Sequence, residues 1–498
     1  MNRKYRKRKL PKYFFIISLA LFLFVGIGYS VINSNLTMQG NVVRKATSWS
    51  IGFSNPVFDT GSKTTPIPTI TNGTTMTMNV NLTSPGEKYA FTVDLTNNGS
   101  VPALINTLNI TELTEEQKVY LRWKVEYEDE SPLEVGDLLK AGETKKVHIY
   151  LEYKNLRAKD LYPSAPINLN LSVQANFYLP EETFNTVTIT KNGSTKLVQV
   201  SNLIQETILD DFPIESTDQV IACNNGVEPS TDTNNKIVLS KVKQDATCRI
   251  ESSLANAVTN SGTETSNLAI LQNATTDTRL TIEANQNITL DMNKKEYTFT
   301  TGNNNPQINV SGILTIKDTN QEGNLKTTQN RLLDCLEDST CIVNNAKLTR
   351  NSESGMGCDI RGGGKTTITN SYIYTDYAIS IVTQNLGADI IVRNSTIVAE
   401  FGKTSLALAA KESTISSYNS ILIADKTCTA PNTASADNSK VYLCNNVCNT
   451  NNYDIDAVYS NVQFYYSSNN TFKNSTNIPT LNYYNRNNVY QTELACAE

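Results

Sequence analysis

Three carboxylates hold matching places in the second half of this 498-residue chain: Asp376, Glu400 and Asp425 each lie six residues after an asparagine, at Asn370, Asn394 and Asn419. If those asparagines mark equivalent points of stacked coils, the acids form a column with about 4.8 Å between neighbours. Bare like charges at that distance repel, which raises a carboxyl pKa or invites a cation such as calcium. Such spacing would also suit the paired carboxylates of glycoside hydrolysis. An elimination on an acidic sugar would need a base, for which Arg361 and Arg393 are available without any recognisable motif. The blander alternative is a solvated turn, where acids are cheap, and Asn351 at the same place one coil earlier fits it. Tyrosine is abundant, with 23 Tyr against 2 Trp. Tyr372, Tyr374, Tyr377 and Tyr418 fall near coil edges, where Tyr gives amphipathic ligand contact or simply fills a strand.

The elements that must position these residues follow from a repeat. Asparagines recur at Asn345, Asn370, Asn394 and Asn419, at intervals of 25, 24 and 25, and Leu348, Ile373, Ile397 and Leu422 each follow three positions later. A coil of that length cannot bury its own apolar face, so stacked copies create the core, and the fixed period is the trace of a parallel β-helix. The asparagine column is either a ladder of side-chain amides or a set of turn residues in the left-handed conformation. Leu254-Ala255-Asn256-Ala257-Val258 reads as a short amphipathic helix capping the open end. Asp359-Ile360-Arg361-Gly362-Gly363-Gly364 lacks the lysine and helix of a phosphate loop and reads as a wide turn.

All nine cysteines lie beyond residue 222. Cys223 and Cys248 flank a predicted hairpin and are candidates for one disulfide. Cys335, Cys341, Cys428, Cys444 and Cys448 fall in segments longer than a coil needs, which predicts disulfides stapling loops. A metal at Cys444-x-x-x-Cys448 lacks a second pair, and the only histidine, His148, is far away in sequence, so no metal site is expected there. Cys358 and Cys496 complete the set, and the odd count leaves one thiol free or pairing between chains.

Length predicts two to four domains. A net charge of −5 argues against nucleic acid as a partner. The basic segment 1–12 precedes an uncharged, mostly apolar run, 13–32, about one bilayer span long. It reads as a transmembrane anchor or a signal peptide, and either places residues 33–498 outside the cell, anchored to the membrane or secreted. Residues 33–180 alternate at period two, as in Tyr89-Ala90-Phe91-Thr92-Val93-Asp94-Leu95 and in the strand holding His148, and are punctuated by Asn, Gly and Pro: a β-sandwich. Thr114-Glu115-Glu116-Gln117 has the spacing of a helix capping box. Residues 181–252 form a small β domain, and 253–498 the β-helix with its cysteine-stapled loops.

Gly28-Tyr29-Ser30-Val31-Ile32-Asn33, the stretch Asn41 to Ile51 and Pro85-Gly86-Glu87-Lys88-Tyr89-Ala90-Phe91-Thr92-Val93 together resemble the camelysin and biofilm-matrix-fibre type of surface protein of Gram-positive bacteria. The resemblance implies a secreted or anchored jelly-roll-like module able to pair edge strands with neighbours. It brings no zinc pair, because His-Glu-x-x-His is missing. From Ser253 onward, Leu280-Thr281-Ile282, Asn287-Ile288-Thr289-Leu290-Asp291 and Gly312-Ile313-Leu314-Thr315-Ile316 resemble the first coils of pectate-lyase-like right-handed β-helices of bacterial surface proteins. That fold hosts both enzymes and inert adhesins.

The expectation is thus an all-β chain with an N-terminal apolar helix. Its first functional reading is a non-enzymatic cell-surface protein presenting the β-helix to a polysaccharide or to a host or neighbour surface, with Asp376, Glu400, Asp425, Tyr372 and Tyr374 as contacts. A second is a polysaccharide lyase or glycoside hydrolase on an acidic glycan, using Asp376, Glu400, Asp425 and Arg393. A third is a matrix fibre built by strand addition, with segment 33–45 as donor. No cofactor is expected, calcium at the column excepted.

Overall fold

The computed structural model describes residues 48–497, apart from 158–161, 164–166, 303–305, 320, 330, 352–357, 377–378, 384–386, 401–405, 432–438, 452, 457–461, 473–474, 477–478 and 480–487. The basic segment, the 13–32 run, the 33–45 donor and Tyr377 lie outside the described residues. Among the described residues no helix is long and apolar enough to cross a membrane.

The chain is mostly β. Its first part packs two antiparallel sheets face to face. One orders Ile51–Phe58, Lys88–Asn97, Thr144–Tyr153 and Leu121–Tyr127; the other orders Thr69–Thr71, Thr75–Leu82, Ile167–Tyr178, Ala103–Ile110 and Leu138–Leu139. Alternation turns Tyr89, Phe91, Val93 and Leu95 inward against Met76, Met78, Val80 and Leu82 from the facing sheet, as a period of two requires. The helix Glu115–Tyr120 starts as expected: Gln117 N donates to Thr114 Oγ1 and Thr114 N to Gln117 Oε1. His148 sits in its strand with Nε2 2.8 Å from Asp59 Oδ2, a surface pairing with no catalytic company. Leu121–Tyr127 is an edge strand, hydrogen-bonded to Thr144–Tyr153 alone in its sheet.

Residues 181–252 share a sheet with the solenoid. The hairpin Phe184–Lys191 and Ser194–Ser201, with Ala246–Glu251 and Val220–Cys223, begins a 14-stranded sheet that continues through Thr265–Ile270 into the solenoid. Cys223 and Cys248 pair across two of these strands and are disulfide-bonded.

The remainder is a β-solenoid of about seven turns. Each full coil carries three short strands, for example Lys365–Thr369, Tyr372–Thr375 and Ile379–Thr383, and each strand pairs in parallel with its counterparts in the coils before and after. Leu348, Ile373, Ile397 and Leu422 stand in strict register and are fully buried. The asparagines that set the period adopt left-handed backbone, with φ of 56°, 50°, 49° and 49° for Asn345, Asn370, Asn394 and Asn419. They are turn residues, the conformation Asn tolerates better than other non-glycine types.

The side-chain ladder lies one position further on. Ser371 N donates to Ser395 Oγ at 3.1 Å, Ser395 N to Ser420 Oγ at 3.1 Å, Ser420 N to Asn446 Oδ1 at 3.0 Å and Asn446 N to Asn470 Oδ1 at 2.7 Å. Each serine hydroxyl donates in turn to a carbonyl of its own coil. The relay satisfies backbone amides at a buried corner where water cannot. Along the asparagines themselves the contact is sparser; Asn445 Nδ2 donates to Asn419 Oδ1 at 3.2 Å.

The helix Leu254–Ser261 caps the open end, burying Leu254, Ala257 and Val258 in the solenoid core. At Gly364 an added Cβ would collide with the Ser339 carbonyl, so the glycine run marks a close passage between coils. The cysteines correct the loop-staple expectation. Cys335–Cys341 and Cys428–Cys448 join side chains at most 1% exposed inside the solenoid. They sit at inward strand positions, where a cystine replaces two aliphatics. Cys444 bonds Cys496 and fastens the last 3-10 turn, Glu493–Cys496, so Cys444 and Cys448 belong to different bridges.

If Asn394 serves the turn through its backbone, Asn394→Ala costs about 1–2 kcal/mol of left-handed strain. Asn394→Gly, free of that strain, stays close to wild type. Urea unfolding of the two variants checks this; equal losses would assign the asparagine to side-chain bonding instead.

Candidate functional site

The second strand of each coil builds the face that carries the predicted residues. Its even positions point inward, and its odd positions point out: Asn324 and Lys326, Lys347 and Thr349, Tyr372 and Tyr374, Thr396 and Val398 on successive coils. Between the first three of these pairs lies an open groove of about 580 Å3, closed at one side by Asn351 and Asp376. The rings of Tyr372 and Tyr374 are nearly parallel, 6° apart in plane and 6.5 Å between centroids. Lys347 Nζ stands 5.7 Å above the Tyr372 ring, within the range of a cation–π contact. Among the described residues neither Lys326 nor Lys347 has a carboxylate partner.

The carboxylate column forms as the spacing predicts. Asp376 N donates to Arg350 O, Glu400 N to Thr375 O and Asp425 N to Ala399 O, so the three acids begin the same turn on three successive coils. Asparagines continue the line at both ends: Asn351 N bonds Thr327 O, and Asn451 Nδ2 reaches Asp425 Oδ1 at 3.2 Å. Glu400 is exposed and Asp376 and Asp425 are half-buried, so water shares the charge. Among the described residues no three His, Cys, Asp or Glu side chains gather as a metal site; the acids make a line and not a cage.

The tyrosines tie this line to the groove. Burial raises the Tyr374 hydroxyl above its ordinary pKa, and the charge of Glu400 and a hydrogen bond to it add to the shift, with smaller contributions from Asp376 and Tyr372. Tyr372 is raised by burial and then by Glu400. In both cases a phenolate would be poorly solvated and next to an anion.

The arginines do not join the acids. Arg393 ends its strand on the neighbouring face, with its guanidinium 4.3 Å above the Tyr418 ring, and the whole strand Thr396–Ala399 separates it from Glu400. Arg361 Nε is held 2.6 Å from Asp334 Oδ1, an acid that Arg331 also reaches at 3.0 Å. Tyr418 is only 6% exposed, gripped by Arg157 and Arg393, and is no contact surface. Lys326 and Lys347 are the cations that line the groove. Isolated lysines on a solvent face carry no motif, yet the repeat held the signal: Lys347 precedes Leu348 as Tyr372 precedes Ile373.

Two other concavities carry less. A cleft of about 800 Å3 where sandwich, bridge and solenoid meet is a seam of ion pairs, Lys243 with Glu134 and Asp137 and Lys241 with Glu228. One of about 690 Å3 lies beside Trp123 on the sandwich.

No family model matches the chain, and no curated protein matches it. Among solved structures, the catalytic domain of a GH87 alpha-1,3-glucanase in complex with tetrasaccharides is similar at 8% identity and a TM-score of 0.19, over 89% of this chain and 100% of that one. A likeness that distant carries no argument.

The Tyr374–Glu400 contact has a pH consequence. A phenol whose folded pKa is raised lends stability that is complete below the ordinary value of about 10 and is lost as pH rises through the folded one. Glu400→Gln removes the charge but not the burial, so Tyr374 then ionises at lower pH, partway back to normal. Ultraviolet difference titration, with Tyr374→Phe subtracted, checks it; an unmoved titration would mean the two side chains do not interact.

Proposed function

We propose that the protein is a non-enzymatic glycan-binding protein displayed outside the cell, held to a membrane through residues 13–32, with the solenoid as the presenting element. The observation that supports this best is the groove itself. Two parallel, partly exposed tyrosine rings lie on a rigid parallel sheet, with lysines on one side and carboxylates on the other. Aromatic faces accept the apolar face of a sugar ring, and the surrounding ammonium, amide and carboxylate groups match its hydroxyls. An open, regular groove that steps about 4.8 Å per coil suits an extended chain molecule.

The enzymatic reading loses its residues to other partners. Glycoside hydrolysis sets two carboxyl groups on either side of the scissile bond, whereas Asp376, Glu400 and Asp425 follow one edge. The arginines that the sequence offers as the base for elimination are engaged elsewhere, Arg393 stacked on Tyr418 and Arg361 bonded to Asp334.

The test is retention of the full chain, held in detergent, on a panel of acidic and neutral polysaccharides, with reducing and unsaturated ends recorded alongside. Retention without new ends is expected. Tyr372→Ala and Tyr374→Ala should each weaken it about tenfold, as the loss of an aromatic contact worth about 1–1.5 kcal/mol implies. Product that disappears in Asp376→Asn or Glu400→Gln would make the protein an enzyme.

A further inference from the structure

The sandwich is attached to the rest of the molecule at two separate places, and the contacts at both are polar among the described residues. At one, Lys243 of the bridge pairs with Glu134 and Asp137, and Gln205 Nε2 donates to Leu138 O at 3.1 Å. At the other, Arg157, on the segment that follows Thr144–Tyr153, reaches Ser416, Tyr418 and Tyr442 of the solenoid. Lys317 lines the cleft beside the first attachment. Its column runs in register through Asn344, Thr369, Arg393 and Tyr418 to Cys444, on the strand of Tyr442. Those five coil steps set the two attachments about 24 Å apart.

Little else fixes the sandwich. The segment 179–183, which joins it to the bridge, contains no helix or strand, and the apolar cores of sandwich, bridge and solenoid are separate among the described residues. Domains that meet through polar contacts move relative to one another unless a specific contact holds them. The ion pairs of Lys243 are partly exposed, so water and salt weaken them.

The Arg157 contact is of another kind. Its guanidinium lies 3.3 Å over the Tyr442 ring, and Nη2 donates to Ser416 Oγ at 3.0 Å and Tyr418 Oη at 3.1 Å. Its charge also reaches Asp389, whose carboxyl is raised by burial and drawn back by Arg157 and then Lys365. Asp389, Ser416 and Tyr442 stand on three successive coils. A ring, two hydroxyls and a carboxylate thus converge on one planar cation, a receptor that a guanidinium fits and an ammonium does not. We propose that Arg157 is a releasable latch. Docked, it holds the sandwich closed along the solenoid; withdrawn, it lets the sandwich swing on segment 179–183 and bares the Tyr442 ring. Such a latch operates whatever the groove binds.

The test is lysine cross-linking of the full chain in detergent, read by mass spectrometry. Lys154 lies three residues before Arg157, and Lys440 two before Tyr442 on the same strand, which brings the two lysines within about 20 Å in the closed form. A Lys118–Lys154 link within the sandwich, where Lys154 Nζ donates to Lys118 O at 2.7 Å, is the internal reference. Arg157→Ala should lower the Lys154–Lys440 yield several-fold against that reference. Arg157→Lys, which keeps the charge without the fork or the stack, should recover only part of it. In the wild type, methylguanidinium at about 0.2 M, well above the millimolar effective concentration of a tethered group, should lower the yield more than methylammonium does. Arg157 belongs to none of the cores, so circular dichroism and melting midpoint should stay unchanged.

A Lys154–Lys440 yield unmoved by Arg157→Ala means that other contacts fix the sandwich, and overturns the latch. Equal loss with the two small cations, or full recovery in Arg157→Lys, reduces the contact to a screened charge and overturns the stacked arginine.

Discussion

A coil of about 25 residues presents backbone amides and an apolar stripe that it cannot satisfy by itself, and the structure from Thr265 onward exists because neighbouring coils satisfy both at once. The aliphatic column Leu325, Leu348, Ile373, Ile397 and Leu422 is buried only while each member is covered from the coil above and below. The same stacking supplies every interior strand of the solenoid with hydrogen-bond partners on both edges. Stability is then a sum of neighbour interfaces, and the two ends are the weak points. The helix Leu254–Ser261 covers one, and the bridge sheet runs into the solenoid beside it. The other is held by Cys444–Cys496 and by the Tyr418 hydroxyl, which donates to the Ala497 carbonyl at 3.1 Å.

That dependence also explains where the sandwich meets the solenoid. Arg157 leaves the sandwich with its guanidinium 3.3 Å above the Tyr442 ring and donates to Ser416 Oγ at 3.0 Å and Tyr418 Oη at 3.1 Å. The guanidinium is planar and always charged, so it can stack and hydrogen-bond simultaneously. Tyr442, Tyr465 and Tyr490 continue as a stack with centroids 4.8 and 5.2 Å apart, one ring per coil, because register repeats every outward side chain at the strand spacing. The tyrosines of this face are therefore partly structural: Tyr418 and Tyr442 are 6% and 7% exposed, against 37% for Tyr372.

The solenoid was legible in the sequence because its period is a physical necessity of stacking. The register of Leu348 to Leu422, the capping helix, the Thr114 capping box and the Cys223–Cys248 bridge could all be read from residue types at fixed offsets. Other features were not so readable. Asn394 and Ser395 are adjacent polar residues, and the sequence alone does not say which turns the chain and which relays hydrogen bonds; only the corner geometry assigns the ladder to serine. The cysteines were misplaced because inserted length suggests loops, while burial depends on strand parity that long insertions obscure. Arg393 was grouped with the acids by closeness in the repeat, yet seven residues within one coil are enough to cross from one face to the next.

The carboxylate column shows how far a repeat can be trusted as a sign of chemistry. Stacking copies whatever occupies a position, so a line of acids arises as readily from a permissive turn as from a catalytic need, and Asn351 and Asn451 at its ends mark the position as a turn. What distinguishes Asp376 and Glu400 from Asp425 is their company and not their spacing: these two lie beside Tyr372 and Tyr374, and their charge reaches the phenol groups. Asp425 faces Asn451 of the next coil, and the outward residues of its own coil are Ile421 and Ile423. A repeat places side chains; only a break in the repeat, here the lysine, tyrosine and acid pattern over four coils, makes one stretch of a uniform surface different from the rest.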